Sequence, residues 1–292
     1  MFDFELLPNE LQLEILKWTE FRTTQRMKSV SKRVKKFIQT YKKYMMPIPI
    51  RQMFVTPEKI SFTLSNSNEV CSLTPDLVDF FLRGAKVDLL WLEAIGSEQE
   101  PIQMLKEMLP SCIRVNCVKL GSSKIPCDLV KLQDLLHSLK CSELIVDWRF
   151  RIPENFFEGV NIQNLNALTI GGQESRHFYH GINGDQFRKF QGHWLELGPN
   201  SLNAGDFKAF LESWKSSFIP FITQYNIVIS FPIPELLQLL KNSTRQESTS
   251  RWAVSREFDG RMEELEIVFF QSTNFSKNPS LVIRQFTKFD LF

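Results

Sequence analysis

The sequence predicts a mixed α+β and α/β fold, in which a small helical domain precedes a repetitive strand–helix region and a carboxy-terminal antiparallel β hairpin. Three observations predict it. Apolar residues recur at helical spacing within the first 40 positions, β-prone segments return every 24–29 residues through the middle, and an Asp-Gly pair separates two apolar segments after residue 250. The 292 residues suffice for one large domain or two smaller ones.

The amino-terminal segment has the apolar spacing of a helical unit. Its first stripe contains Leu7, Pro8, Leu11, Ile15 and Leu16. Pro8 is tolerated in a first helical turn, because the amide hydrogen that it lacks would be unpaired there in any case. Thr23 or Thr24 is a candidate cap for a second helix. The next stripe contains Met27, Val30, Val34, Phe37 and Ile38.

The charge of the sequence changes near residue 50. Residues 1–51 carry a net charge of +6 and the remainder carries −4, so the total of +2 combines two different regions. Pro47 and Pro49 fall at this boundary and interrupt any helix. We therefore predict a helical domain over residues 1–46 and a second region over residues 52–292.

The middle of the chain has a repeating pattern. Apolar, β-prone segments lie at 60–64, 87–92, 115–120, 144–148, 168–170 and 194–197. Helical stretches follow several of them, at 74–82, 101–109, 129–139 and 204–214. This period is typical of leucine-rich-repeat α/β solenoids, whose strands form one parallel sheet. We predict a degenerate, leucine-rich-repeat-like region over about 60–220; the alternative is an ordinary α/β domain with evenly spaced elements.

The pattern changes after residue 220. A strand is predicted at 225–231, a short helix at 234–240 and a polar loop at 242–250. Asp259-Gly260, a favoured two-residue turn, joins strands predicted at 252–258 and 265–270. A last strand is predicted at 281–286. These antiparallel strands, within about 221–292, are expected to cap the end of the solenoid.

The first 40 residues resemble an F-box. The resemblance rests on Leu7-Pro8, Glu10-Leu11, Ile15-Leu16 and the block Val30-Ser31-Lys32-Arg33 that leads to Phe37-Ile38. It implies a three-helix domain that docks on a Skp-type adaptor, and through it on a cullin. The adaptor-binding residues implied are Leu7, Pro8, Leu11, Ile15, Leu16 and Val30.

A second segment is similar to the F-box-associated type 2 domain of nematode-type F-box proteins. The similar positions are Leu195, Leu197, Leu202, Asp206, Phe207, Phe210, Leu211 and Trp214. An Arg-x-x-Asp-Gly element, Arg256 to Gly260, fits the hairpin with which that family often ends. The order of the two segments is also that of the family.

Together the resemblances imply the substrate receptor of a Skp-cullin-F-box ubiquitin ligase, a non-catalytic subunit that recruits a protein for ubiquitination. Exposed aromatic residues are common anchors of interfaces, so the predicted substrate-binding candidates are Trp148, Phe178, Tyr179 and Trp252. The alternative is a repeat-protein scaffold without ligase activity, which would not hold an adaptor.

Other classes of function find little support in the sequence. There is no C-x-x-C pair, no phosphate-cradling glycine loop and no G-x-S-x-G element, and His177 and His180 lack two further ligands at zinc spacing, so we predict no cofactor and no metal. The basic segment 22–43 lacks an aromatic stacking pattern, which favours a solvated face over nucleic-acid binding. Acidic residues near the amino terminus and the absence of a long apolar segment predict an intracellular protein, cytoplasmic or nuclear, with no membrane partner.

Overall fold

The fold was analysed in a computed structural model of the chain. The structure describes residues 4–19, 21–41, 44, 48–56, 59–66, 68, 70–72, 85–93, 113–121, 129–147, 149–150, 156–171, 181–216, 222–243, 245–270 and 279–288. It is a mixed α+β fold in which helices precede sheet structure. The chain divides into two compact units, Met1–Val118 with Leu135–Cys141, and Lys119–Asp134 with Ser142–Phe292.

Three helices open the first unit: α1 (Asn9–Trp18), α2 (Phe21–Val30) and α3 (Lys32–Tyr41). Their small core consists of Leu16, Val34 and Ile38, with Phe4, Met27 and Phe37 packed against it. The Ser31 hydroxyl accepts a hydrogen bond from the Val34 amide at 3.1 Å and so caps α3. The prediction that Thr23 or Thr24 caps the second helix is wrong, because α2 already begins at Phe21 and Thr24 is buried within it.

The strands that begin in the first unit are β1 (Ile48–Val55), β2 (Ile60–Leu64), β3 (Val70–Ser72), β4 (Ala85–Leu92) and β5 (Ile113–Leu120), in the order β5-β4-β1-β2-β3. β1 is parallel to β4, but β2 is antiparallel to β1 and β3. The prediction that 60–64 is the first parallel strand of the repeat is therefore wrong.

Strand β1 was not predicted, because Pro47 and Pro49 were interpreted as a break. Pro49 lies at its second residue, and a register shift between Ile50 and Gln52 follows at once. Proline is tolerated at the start of a strand and beside such irregularities. The Pro49 carbonyl still accepts a hydrogen bond from the Ser65 amide at 3.0 Å. The proline therefore removes one donor from this strand but keeps its acceptor paired.

The helices of the second half are α4 (Leu129–Leu139), α5 (Gly184–Lys189), α6 (Ala204–Ser216) and α7 (Ile233–Ser243). The helices predicted at 129–139, 204–214 and 234–240 are thereby confirmed within a few residues, whereas those at 74–82 and 101–109 lie outside the described residues. α5 was missed, although Asn183 and Gln186 form a capping box that marks its start. None of the described helices has both the length and the apolar character needed to cross a bilayer.

Four parallel strands lie side by side in the second unit: β6 (Glu143–Val146), β7 (Ala167–Ile170), β8 (Trp194–Leu197) and β9 (Gln224–Val228). Their alternate side chains are buried, as in Leu144, Leu168, Leu195 and Tyr225. Tyr225 meets the rings of Phe190 and Phe210 at centroid distances of 5.9 and 6.0 Å, so α5, which ends just before Phe190, and α6 cover this buried face.

Strands β10 (Arg245–Ser248), β11 (Arg251–Phe258), β12 (Arg261–Phe270) and β13 (Ser280–Lys288) are antiparallel. β13 pairs with β9, so these strands extend the same sheet in the order β10-β11-β12-β13-β9-β8-β7-β6. The polar segment 242–250 was predicted as a loop, and this is wrong: it completes α7 and forms β10.

The predicted hairpin is present. Phe258 pairs with Arg261, which leaves a two-residue turn at Asp259 and Gly260. Both have positive φ, 51° and 71°. That geometry belongs to the type I′ turn, for which Asp-Gly is a preferred sequence.

Candidate partner-binding surfaces

The helical domain leaves a set of large apolar side chains in solvent. Leu11 is 52% exposed, Ile15 36% and Val30 76%, although each is apolar enough for a core. Among the described residues of the three helices, Leu16, Val34 and Ile38 form the buried apolar core, and so small a core cannot shelter more. A cluster of exposed apolar side chains on a small domain marks an interaction surface.

The sequence-predicted adaptor residues are only partly accessible. Pro8 is exposed at the start of α1, and Leu7 is half-buried. The Leu7 carbonyl accepts a hydrogen bond at 2.7 Å from the Gln12 side-chain amide, and the Gln12 backbone N–H donates to the Pro8 carbonyl at 3.0 Å. Leu16 is buried in the core with Val34, so its side chain is not accessible in the free chain, and its part in adaptor binding stays a prediction. Sequence periodicity does not separate a core stripe from an exposed one.

Two exposed residues were missed by the sequence analysis. Leu6 is 81% exposed and Trp18 is 78% exposed. Leu11, Ile15 and Trp18 follow one another at helical spacing on α1, which was the available signal. With Val30 they form an exposed apolar set of five: Leu6, Leu11, Ile15, Trp18 and Val30.

The parallel strands of the second unit carry another accessible surface. The side chains that alternate with the buried ones are half-buried, and we call this side of β6–β9 the open face. Residues in register across the four strands form two rows on this face. One row is Glu143, Ala167, Trp194 and Gln224, and the other is Ile145, Thr169, Glu196 and Asn226. The rows contain two carboxylates and no cation.

Glu196 lies near the middle of the open face. Its neighbours in register are Thr169 on β7 and Asn226 on β9, and Trp194 lies two residues away on the same side of β8. Burial raises the pKa of the Glu196 carboxyl above its ordinary value. The Asn226 side-chain oxygen accepts a hydrogen bond from Gln224 at 2.8 Å, and the Gln224 oxygen accepts one from Arg284 of β13 at 3.2 Å. Within the described residues, no group donates a hydrogen bond to Glu196 or forms an ion pair with it.

Of the four aromatic residues predicted to bind a substrate, the structure describes only Trp252. Trp252 lies near a loop, as predicted, because a turn at residues 249–250 precedes β11, but its side chain is buried in register with Ile267, so the prediction that it is exposed is wrong. Its apolar neighbours and the alternation of the strand direct it inward. Trp148, Phe178 and Tyr179 lie outside the described residues.

The positions that carry the second resemblance build the core of the second unit. Leu195, Leu197, Leu202, Phe207, Phe210, Leu211 and Trp214 are all buried. Asp206 and Asn203 exchange side-chain to amide hydrogen bonds of 2.8 and 3.1 Å and cap α6. These positions therefore specify packing and a helix start.

Arg256, the first residue of the Arg-x-x-Asp-Gly element, joins α6 to the hairpin. Its guanidinium bonds Glu263 at 2.6 and 2.8 Å, donates to the Trp214 carbonyl, and lies 4.2 Å from the Trp214 ring centre. The Trp214 indole donates to Gln285 of β13 at 3.3 Å. The buried Arg256 cation thus connects α6 with β11 and β12, and the Trp214 indole connects α6 with β13.

The second unit has two further polar sites. A cleft of about 220 Å³ lies between residues 157–163 and α5, and Gln186 at its wall donates to the Phe157 carbonyl at 2.8 Å. Burial acts to raise the pKa of Asp147, but the hydrogen bonds and charge of Arg149, with the charge of Lys119, outweigh it and hold the pKa below its ordinary value. No group of three potential metal ligands lies together within the described ranges; His177 and His180 fall outside them.

Comparison with known proteins gives one family. No curated protein is significantly similar to the chain. The F-box domain family matches residues 4–45, the segment that contains α1–α3 and the exposed apolar set. The amino-terminal helices of this protein are an F-box domain.

Proposed function

We propose that this protein is the substrate-receptor subunit of a Skp-cullin-F-box ubiquitin ligase. F-box domains bind Skp-type adaptors in such complexes, and the F-box match over residues 4–45 carries the proposal. The exposed apolar set supports it, because Leu6, Leu11, Ile15, Trp18 and Val30 lie on this segment and need a partner to leave water.

Docking is favourable when the whole set is buried together. Full burial of one large aliphatic side chain contributes roughly 1.5–3 kcal/mol. The summed free energy of burying several such side chains exceeds the cost of association, which is of the order of 4–15 kcal/mol, only if most of them are buried at once. A few central residues then carry most of the affinity.

A receptor of this kind supplies no reacting group of its own. By holding a substrate beside an activated ubiquitin it raises the effective concentration of the substrate lysine, and proximity alone accelerates the transfer. The cullin would be held indirectly, through the adaptor.

We further propose that residues 52–292 recognise the substrate and are leucine-rich-repeat-like. An apolar-x-x-apolar-x-apolar frame recurs with all three positions buried, starting at Ile50, Val87, Val115, Cys141, Leu165 and Ile222. β8 adds Leu195, Leu197, Asn200 and Leu202 in the spacing of the repeat consensus. The Asn200 side chain donates to the carbonyls of Gly198 and Val228 at 2.8 and 2.9 Å, a use of asparagine between neighbouring repeats.

The carboxy-terminal strands support two finer proposals. Buried Arg256 and the capped helix α6 fit the F-box-associated type 2 domain, because they account for the residues that carry that resemblance. β13 occupies the edge of β9, which fits strands that cap a repeat array, although they do so by extending its sheet.

Co-purification with a Skp-type adaptor tests the proposed function. A variant with Leu11→Ala, Ile15→Ala and Val30→Ala alters only exposed side chains and is expected to stay folded. We expect the wild type to form a stoichiometric complex and the variant to lose at least tenfold in affinity, about 1.4 kcal/mol. Val130→Ala, which removes another exposed apolar side chain from α4, is the matched control and should bind normally.

A folded wild-type chain that does not bind the adaptor would contradict the receptor function. The alternative function, a scaffold that binds proteins through its repeats without ligase activity, would then account for the sheet region. The recurring frame supports that alternative equally, so adaptor binding is the measurement that separates the two.

A further inference from the structure

The two faces of the parallel sheet differ in what covers them. On the buried face, Tyr225 contacts the rings of Phe210 on α6 and of Phe190, which directly follows α5. The open face bears Trp194 and Glu196 on the same strand, about 7 Å apart along it. Both side chains are half-buried, which is the environment in which polar contacts gain strength without full desolvation.

The charge of this surface selects the kind of ligand. Glu196 has no cation in register on β7 or β9, where Thr169 and Asn226 lie. Arg284 is on the same side of the sheet but binds Gln224, and its partner in register is Glu266. The carboxylate of Glu196 is therefore available to a ligand.

An indole beside an available carboxylate is suited to a basic side chain. A guanidinium or ammonium group is attracted to the face of tryptophan and hydrogen-bonds a carboxylate. Ile145, in the same row as Glu196, offers apolar contact to the aliphatic stem of such a side chain or to its neighbour.

We propose that the open face binds a protein segment in which a lysine or arginine side chain lies against Trp194 and Glu196, next to an apolar residue. This inference rests on the proposed function in naming that segment as part of the ubiquitination substrate. The binding itself requires neither adaptor nor cullin.

The test is a selection on the folded full-length chain with a displayed library of random twelve-residue peptides. We expect enrichment of peptides with a lysine or arginine next to an apolar residue. For the best peptide, Glu196→Gln should weaken the affinity about tenfold or more, because a hydrogen bond to a charged group is lost. Trp194→Leu should weaken it about twofold to fivefold.

Charge reversal makes the result specific. On a Glu196→Lys chain the selection should favour aspartate or glutamate, and a peptide with its basic residue changed to glutamate should regain affinity. Glu212→Gln, on the exposed side of α6, is the matched control and should leave binding unchanged. The proposal would be overturned if the folded wild type enriched no peptide. It would also be overturned if the enriched peptides lacked a basic residue and bound the Glu196→Lys chain as tightly as the wild type. Loss of adaptor binding alone would contradict only the receptor function.

Discussion

Arg256 combines an ion pair, a hydrogen bond to a backbone carbonyl and a contact with an indole ring in the second unit. Replacing it with methionine keeps the apolar stem but leaves Glu263 and the Trp214 carbonyl without their cation. Breaking a buried ion pair from one side costs about 3–5 kcal/mol. We expect Arg256→Met to lower the free energy of unfolding by that amount in urea titration, and added Glu263→Leu to recover most of it.

A second arginine on β11 supplies the control. Arg251 bonds Glu266 at 3.0 Å, but its side chain is 52% exposed, whereas that of Arg256 is 4% exposed. An exposed pair contributes about 0–1 kcal/mol, so Arg251→Met should cost less than about 1 kcal/mol. Equal costs for the two substitutions would mean that burial of Arg256 is not what makes it important.

The raised pKa of Glu196 predicts a pH-dependent stability difference. The folded chain holds the proton more tightly than the unfolded chain, whose pKa stays near 4.5, so ionised Glu196 destabilises the fold at pH 7. Glu196→Gln is expected to raise the free energy of unfolding at pH 7. The advantage should shrink as the pH falls through the raised pKa and vanish below about 4, where both states are protonated. A difference that persists at pH 3.5 would contradict the assignment.

At the level of elements, the hairpin turn depends on backbone geometry alone. A Cβ on Gly260 would meet no atom within 4 Å, yet φ is +71°. Gly260→Ala should therefore cost about 1–2 kcal/mol through the left-handed conformation.

Gly159 supplies the opposite case. A Cβ there would lie 2.6 Å from the Gln133 side chain, which donates to the Phe156 carbonyl at 2.7 Å. Gly159→Ala should displace that amide and cost about 1–3 kcal/mol. Thermal unfolding of Gly159→Ala in a Gln133→Ala background separates the clash with Gln133 from any other effect of the added methyl group. The clash disappears once the Gln133 side-chain amide is absent.

The elements that sequence patterns predicted are those whose signal is local. Asp259-Gly260 identified the hairpin, and alternating leucines identified β7 and β8, because turn geometry and strand periodicity act over a few residues. β1 was missed since tolerance of Pro49 depends on a register shift opposite β2, which only the assembled sheet reveals. The apolar-x-x-apolar-x-apolar frame that starts at Ile50 and at Val87 is present in the sequence. A single copy does not identify it as a repeat, because the pattern becomes recognisable only when several copies are aligned.

The surfaces were harder to predict than the core. Leu11 and Leu16 have the same residue type and lie about 140° apart around α1, and one is 52% exposed whereas the other is in the core. Packing against Val34 and Ile38 of α3 decides which of these two sides is buried. Trp252 shows the reverse, since an aromatic residue chosen as a surface anchor is instead part of the buried face.

For the whole molecule, the exposed apolar set predicts self-association in the absence of an adaptor. The isolated chain should associate with increasing concentration in sedimentation velocity, because Leu6, Trp18 and Val30 are each more than 75% exposed. Equimolar adaptor should suppress the association, as should Leu6→Ser with Trp18→Ser and Val30→Ser. Association that is unchanged by these substitutions would place its cause elsewhere on the protein.

Strand β10 has a consequence for how copies of this protein meet. It forms the outer edge of the antiparallel strands, where a free backbone ladder would invite a strand from another chain. It is only four residues long, Arg245–Ser248, all of them polar or charged, and its pairing shifts register after Gln246. So short and irregular an edge offers little for a second sheet to join. Through this edge, copies of the protein are therefore not expected to fuse their sheets end to end into fibres.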